Sequence, residues 1–454
     1  MERNRTVNAG PASRHLLLSN IAYLIDFTDD LTAAPTVRSG VDLLVRDGEI
    51  SAVGTDLARA VIPDIEVLDA SNQVVLPGFV DAHRHLWVTA LRASTADTDL
   101  GAYLALVIKQ LAPRFTLEDV YTSTYFGARE CLDAGITTVQ DYAHIMYTPD
   151  HADAAIAGLS ATGIRAVFGY GYPPFEASAR DLADIRRVRD RYFAADADAD
   201  ALLTMALSPA GPSYAPIEFV REDWKLAREL GVPITVHTGA GPVAQHPIAT
   251  LEREGLLTPG TVYVHGNSLP DDELARIADS GGAVAIAPAV EAQMGHGAPM
   301  IGRLRTAGVR LGLGADVVTA TAGDMFSLMR AALLSGRLAD AEGPGRPTPA
   351  DVLRAATLGG AETLGLADRT GSLRPGKRAD LVLLRADAPN LAPLRHDPVS
   401  AVVAAAHPGN VDTVVVNGKV VKRGGAMVGD PSVPNPDSLL ESAERICAPL
   451  EPSS

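Results

Sequence analysis

Eight short apolar runs recur between residues 79 and 316, separated by stretches of helix length. They read FVDAH (79–83), TTVQDY (137–142), RAVFGY (165–170), LLTMALS (202–208), ITVHT (234–238), VYVHG (262–266), AVAIAP (283–288) and RLGLGAD (310–316). Short runs of aliphatic and β-branched residues bounded by turn formers are strands. The segments between them include DELARIADSGG and PMIGRLRTAG, which are amphipathic and end in glycine just before the next run, as a helix C-cap does. Strands alternating with helices build a parallel sheet. Eight such units at this length predict an α/β chain folded as a (β/α)8 TIM barrel.

The two ends of the chain read differently. HLLLSNIAYLIDF, VDLLVRDGEISAVG and IEVLDASNQVVLPG are short strands broken by turn residues, and Asp47-Gly48 is a hairpin signal. Near the other end, Asp380 to Leu384 and VDTVVVNGKVVKRGG repeat the pattern, with Asn417-Gly418 at the turn. Two all-β pieces flanking a barrel predict one small β-sandwich module built from both termini. The expected boundaries are 1–75 and 372–428 for its halves and 76–371 for the barrel. Residues 429–454, rich in Pro, Ser and Glu, are expected to be a surface tail.

Composition narrows the chemistry. The 454 residues carry a formal net charge of −16, which disfavours nucleic acid or an anionic membrane as partner, since both attract basic faces. The N-terminus lacks an apolar segment of signal-peptide length, and no run approaches the length of a membrane span. Two cysteines, Cys131 and Cys447, are too few for a disulfide framework or a thiolate metal site. A cytoplasmic protein is expected, and any metal in it falls to His, Asp or Glu.

Barrel active sites lie at the C-terminal ends of the strands. There the first run ends in Asp81-Ala82-His83-Arg84-His85, the fifth at His237, the sixth at His265 and the eighth at Asp316. Residues i and i+2 of a strand share a face, so His83 and His85 can reach one ion while Arg84 points away. A strand-end histidine also serves as a plain hydrogen-bond partner. The coincidence with His237, His265 and Asp316 favours a metal. Three His and a carboxylate suit Zn²⁺ and tolerate Fe²⁺ or Mn²⁺.

PGFVDAHRHL, LGLGADV and LRPGKRADLVLL together resemble the signatures of the amidohydrolase superfamily, and the likeness runs from about residue 15 to 425. Within it the chain looks closest to the branch of cytosine, guanine and S-adenosylhomocysteine deaminases and triazine hydrolases. The resemblance implies His83, His85, His237 and Asp316 as ligands of one divalent ion. It places His265 beside the attacking water or the substrate, with Asp316 and His265 as the catalytic pair. A bound metal makes hydroxide available near neutral pH. Asp316 would take that water's proton and return it to a leaving amine, and His265 would stabilise developing charge.

Two departures from the family pattern matter. Binuclear relatives carry a carbamylated lysine at the end of strand 4, where this chain has ALSPAGPSYAP; Lys225 lies in a later helix-like stretch. One metal is therefore expected. Nucleobase-type deaminases of the branch place a glutamate three residues after the strand-5 histidine, to protonate the substrate ring. Here that residue is Ala240. The leading expectation is thus hydrolysis of an amide, lactam, amidine or similar C–N bond in a small molecule. Deamination of an amino-heterocycle (nucleobase, pterin or triazine-like) is the alternative. A non-catalytic barrel scaffold is the reading from another class.

Substrate contacts are expected from Glu291 and His296 in APAVEAQMGHG, His144 in DYAHIMYTPD, Trp87, and Tyr214. Asp141 and His246 are lesser candidates for the wall and the mouth. His15, His151, His396 and His407 read as surface or structural residues, and Cys131 as core. Relatives often form dimers or larger assemblies, so a homo-oligomer is open.

Overall fold

A computed structural model describes residues 15–30, 33–57, 65–174, 180–194, 201–240, 246–339, 343, 345–429 and 434–448. Residues 1–14, most of the stretch read above for targeting signals, lie outside these.

The eight runs form strands at Phe79–Arg84, Ile136–Ala143, Arg165–Tyr170, Leu203–Leu207, Thr235–Thr238, Val262–His265, Ala283–Ile286 and Arg310–Leu313. Each is followed by a helix, from Leu117–Asp133 after the first to Met325–Ala339 after the eighth. Gly281 (φ 71°) and Gly308 (φ 69°) end two of these helices in the left-handed conformation their sequences announce.

The first four strands form one parallel sheet and the last four another. Parallel bridges join the two sheets at both seams, Leu207 to Ile234 and Arg84 to Asp316. At the second seam Asp316 N–H donates to the His83 carbonyl (2.9 Å) and His85 N–H to the Asp316 carbonyl (2.8 Å). A small apolar cluster of Val80, Ala82, Val167, Ala206, Val262 and Ala285 draws on strands of both sheets, while the larger core packs the helices onto them.

The strands of the two termini pair with each other. Gln73–Pro77 runs antiparallel to Leu381–Arg385 inside a seven-stranded sheet, and the hairpin strands Val41–Arg46 and Glu49–Gly54 belong to a second, four-stranded sheet. One apolar cluster joins the two sheets, with Leu18, Leu43 and Ile50 from one and Leu24, Val75, Leu381 and Val415 from the other. Both turn signals are used: Asp47 and Gly48, and Asn417 and Gly418, all have positive φ. The turns touch, so a Cβ on Gly418 would lie 2.5 Å from the Gly48 Cα.

Asp380, from the KRADLVLL motif, fastens this module to the barrel. Its buried carboxylate accepts from Arg165 (2.7 and 3.2 Å), the Thr370 hydroxyl (3.2 Å) and the Asn417 N–H (2.7 Å). Beyond residue 429 the sequence reading expected a surface tail. Pro436–Cys447 instead forms a helix with Ile446 and Ser442 buried, and its Arg445 pairs with Asp119 of helix Leu117–Asp133.

Candidate functional site

The C-terminal strand ends bring His83, His85, His237 and Asp316 together, with one candidate ligand atom from each lying within 4.8 Å of the others. Asp316 Oδ1 is 3.3 Å from both His83 Nε2 and His85 Nε2, and Oδ2 is 3.8 Å from His265 Nε2. This crowding depends on Gly314, where a Cβ would meet the His83 carbonyl oxygen at 2.6 Å. His265 (φ 72°) and Asp316 (φ 58°) both adopt the left-handed backbone conformation. For residues with a side chain that costs about 1–3 kcal/mol and persists where the surroundings demand it.

The donor set fits a cation. Neither ring nitrogen of His83 has a hydrogen-bond partner among the described residues, although the side chain is fully buried. Burial pushes the His83 pKa down to about 4 and holds His237 well below its usual value, so both rings are neutral with a lone pair to offer. His85 Nδ1 lies 2.8 Å from the Tyr142 carbonyl, which only accepts. Nδ1 therefore carries the proton and Nε2 presents its lone pair. Three imidazoles around one carboxylate are a divalent-ion donor set.

His265 is set apart from this group by its partner. Its Nδ1 is 3.2 Å from Glu291 Oε1, and Glu291 also accepts from the Ala287 N–H (2.8 Å) and the Asn267 side-chain amide (3.0 Å). Burial works against protonation of His265, yet Glu291 and Asp316 together raise its pKa.

The cluster opens into a pocket with about 860 Å³ of free space. His144, His296 and Tyr214 line it, as does Ala240. Glu291 and Trp87, expected at the substrate, do not line it; each stands behind a residue that does. Glu291 backs His265, and the Trp87 indole N–H donates to His144 Nδ1 (3.1 Å). That bond fixes the tautomer of His144. Burial keeps the ring neutral, so its proton sits on Nε2. Asp141 is fully buried away from the pocket, accepting from the Leu86 N–H at 3.1 Å. His246 is half exposed beside Glu273 (3.8 Å) and outside the pocket lining.

Arg84 points away from the cluster as expected, but into the protein: it bonds the Gly323 carbonyl (2.8 Å) and pairs with Glu130. Lys225 is exposed on helix Ile217–Leu230, and Ser208 and Ala210 face the pocket after the fourth strand. The sequence reading missed Leu100, Tyr103 and Leu104, which line the pocket from a segment well beyond the first strand's end, and Met294, which lies between the expected Glu291 and His296.

The sequence profile of the amidohydrolase family matches residues 74–421. The 5-methylthioadenosine/S-adenosylhomocysteine deaminase of Symbiobacterium thermophilum is 30% identical over 401 residues, covering 86% of this chain and 90% of its own length. The hydroxydechloroatrazine ethylaminohydrolase of a Pseudomonas species is also 30% identical, over 87% of this chain and 89% of its own. Among solved structures, an adenosine deaminase from Xanthomonas campestris with bound zinc superposes with a TM-score of 0.81 at 25% identity, covering 96% of this chain and 98% of that one. Profile, relatives and fold agree, and the chain belongs to the amidohydrolase family.

Proposed function

We propose that the chain hydrolyses a carbon–nitrogen bond, other than a peptide bond, in a small or modified molecule, using one divalent ion held by His83, His85, His237 and Asp316. The observation that carries this reading is the convergence of these four side chains, three of which, His85, His237 and Asp316, line one pocket. Zinc is the first choice, with Fe²⁺ or Mn²⁺ as substitutes. In this reading residues 76–371 are a closed barrel, residues 1–75 and 372–428 are the halves of a β-sandwich, and 429–454 are an appended segment that carries the helix Pro436–Cys447.

A divalent ion bound there supplies Lewis acidity, which brings the pKa of water down to about 7. Asp316 accepts a proton at a carboxylate oxygen and hands it to the departing nitrogen. His265, oriented by Glu291, offers its Nε2 edge to negative charge growing on the attacked group. Trp87 orients His144 so that its Nε2–H is available to an acceptor on the substrate. Tyr214 and His296 complete the wall.

The relatives named as deaminases favour a second reading, an aminohydrolase that releases ammonia from an amino-heterocycle. Ala240 stands against it, because the position lines the pocket yet offers no proton. The test is elemental analysis followed by a panel of aminopurines, pterins, aminotriazines, lactams and cyclic amidines. About one metal per chain is expected, with scission or ring opening and no ammonia from the amino-heterocycles. Turnover of any amino-heterocycle to ammonia establishes the second reading. Under about 0.3 metal per chain after metal-replete expression, with no turnover, would leave a barrel that only binds.

A further inference from the structure

We infer that the Tyr103 hydroxyl donates a hydrogen bond to the substrate, to an uncharged acceptor such as a ring nitrogen or carbonyl oxygen. The inference rests on the pocket being the substrate site.

Four tyrosines line the pocket, Tyr103, Tyr142, Tyr172 and Tyr214. Three of them spend the hydroxyl on the protein. Tyr142 donates to the Pro209 carbonyl (2.9 Å), Tyr172 to Asp223 (2.6 Å) and Tyr214 to the Ala240 carbonyl (3.4 Å). The Tyr103 hydroxyl is buried and has no partner among the described residues. Buried polar groups are almost always paired, and an exception in a ligand pocket is a group kept for the ligand.

The backbone holds Tyr103 in place. It ends the helical turn Leu100–Tyr103, which Asp99 caps through the Ala102 N–H (2.8 Å), and eight residues of π-helix follow at Leu104–Leu111. The Leu100 N–H donates to the Met294 carbonyl (3.3 Å), and Gln293 bonds the Ala96 carbonyl, so the turn is fastened to the segment that carries Glu291 and His296. The hydroxyl is therefore presented without a bond of its own to aim it. Burial, reinforced by the charge of Asp316, keeps the phenol protonated, which makes it a donor.

The rest of the lining says what it donates to. Asp316 is the only carboxylate among the described lining residues, which include no Lys or Arg. His144 presents a second N–H donor. Leu100, Leu104, Met294 and Val317 supply apolar surface. A flat, uncharged ring with peripheral acceptors is what such a lining accommodates.

Benzimidazole and indole test this. They match in size and ring N–H and differ in one acceptor nitrogen. Binding of each is measured calorimetrically to the metal-loaded protein and to its Tyr103→Phe variant. The expected result is about a fivefold loss for benzimidazole, the value of one net hydrogen bond, with indole changed less than twofold and metal content unchanged. Equal losses for both probes, or none for benzimidazole, overturn the inference. A selective loss in a protein that hydrolyses nothing would sink the proposed function and leave Tyr103 as assigned. A working hydrolase whose variant weakens both probes alike would sink only the inference.

Discussion

Asp316 meets His83 and His85 through one carboxylate oxygen and faces His265 with the other. Asp316→Asn keeps the shape and removes the proposed proton acceptor. Turnover is expected to fall roughly 10²–10⁴-fold, the usual worth of such a group, with the circular dichroism spectrum preserved. Retention of more than a tenth of activity would exclude the role. The two cysteines separate by environment. Burial pushes the Cys131 thiol up to about 12, whereas Cys447 is exposed. Thiolate is the reactive form, so the native protein is expected to take up one equivalent of iodoacetamide, at Cys447, and a second only when unfolded. Two rapid equivalents would show that the core around Cys131 opens. The cluster residues were legible because strand ends are legible. Tyr103 was not, because nothing in TDLGAYLAL says that this turn folds over the pocket. The left-handed backbone of His265 and Asp316 leaves no mark in composition either.

All eight barrel strands sit where aliphatic runs predict them, because buried parallel strands must be apolar on both faces. The helix Pro436–Cys447 was read as tail because its flanks are polar and proline-rich. Its signals were present: Asn435 as N-cap, Pro436 at the first position, and Leu439, Ala443 and Ile446 on one face. The hairpin turns offer a test at this scale. Gly424 has a positive φ with open space around it, and changing it to Ala is expected to cost about 1 kcal/mol from the backbone alone. Gly418→Ala carries the same backbone cost and also drives a Cβ into Gly48, so about 1–3 kcal/mol more is expected. Urea melts measure both. Equal losses would mean the two turns do not need their close contact.

For the whole molecule, the buried Asp380–Arg165 pair ties the terminal module to the barrel. It links the strand returning to the terminal module with the third barrel strand, and both side chains are almost wholly buried. Asp380→Ala takes both carboxylate hydrogen bonds from the buried Arg165 guanidinium, and a loss of about 3–5 kcal/mol is expected from denaturant unfolding. A loss under 1 kcal/mol would show that the two parts hold together without this pair.

The seam between first and eighth strands has a mechanical meaning. His83 belongs to one four-stranded sheet and His85 follows that strand directly, while His237 lies in the other sheet and Asp316 follows its last strand. An ion gripped by all four is a removable rivet between half-barrels, clamping positions more than 200 residues apart in the chain. Its removal should be felt as loosening as well as lost chemistry. With zinc at 100 times its dissociation constant the fold gains about 2.7 kcal/mol. Chelation is therefore expected to lower the melting temperature and to speed amide exchange first at the Arg84–Asp316 edge. Exchange there that ignores the metal would mean the two halves need no rivet.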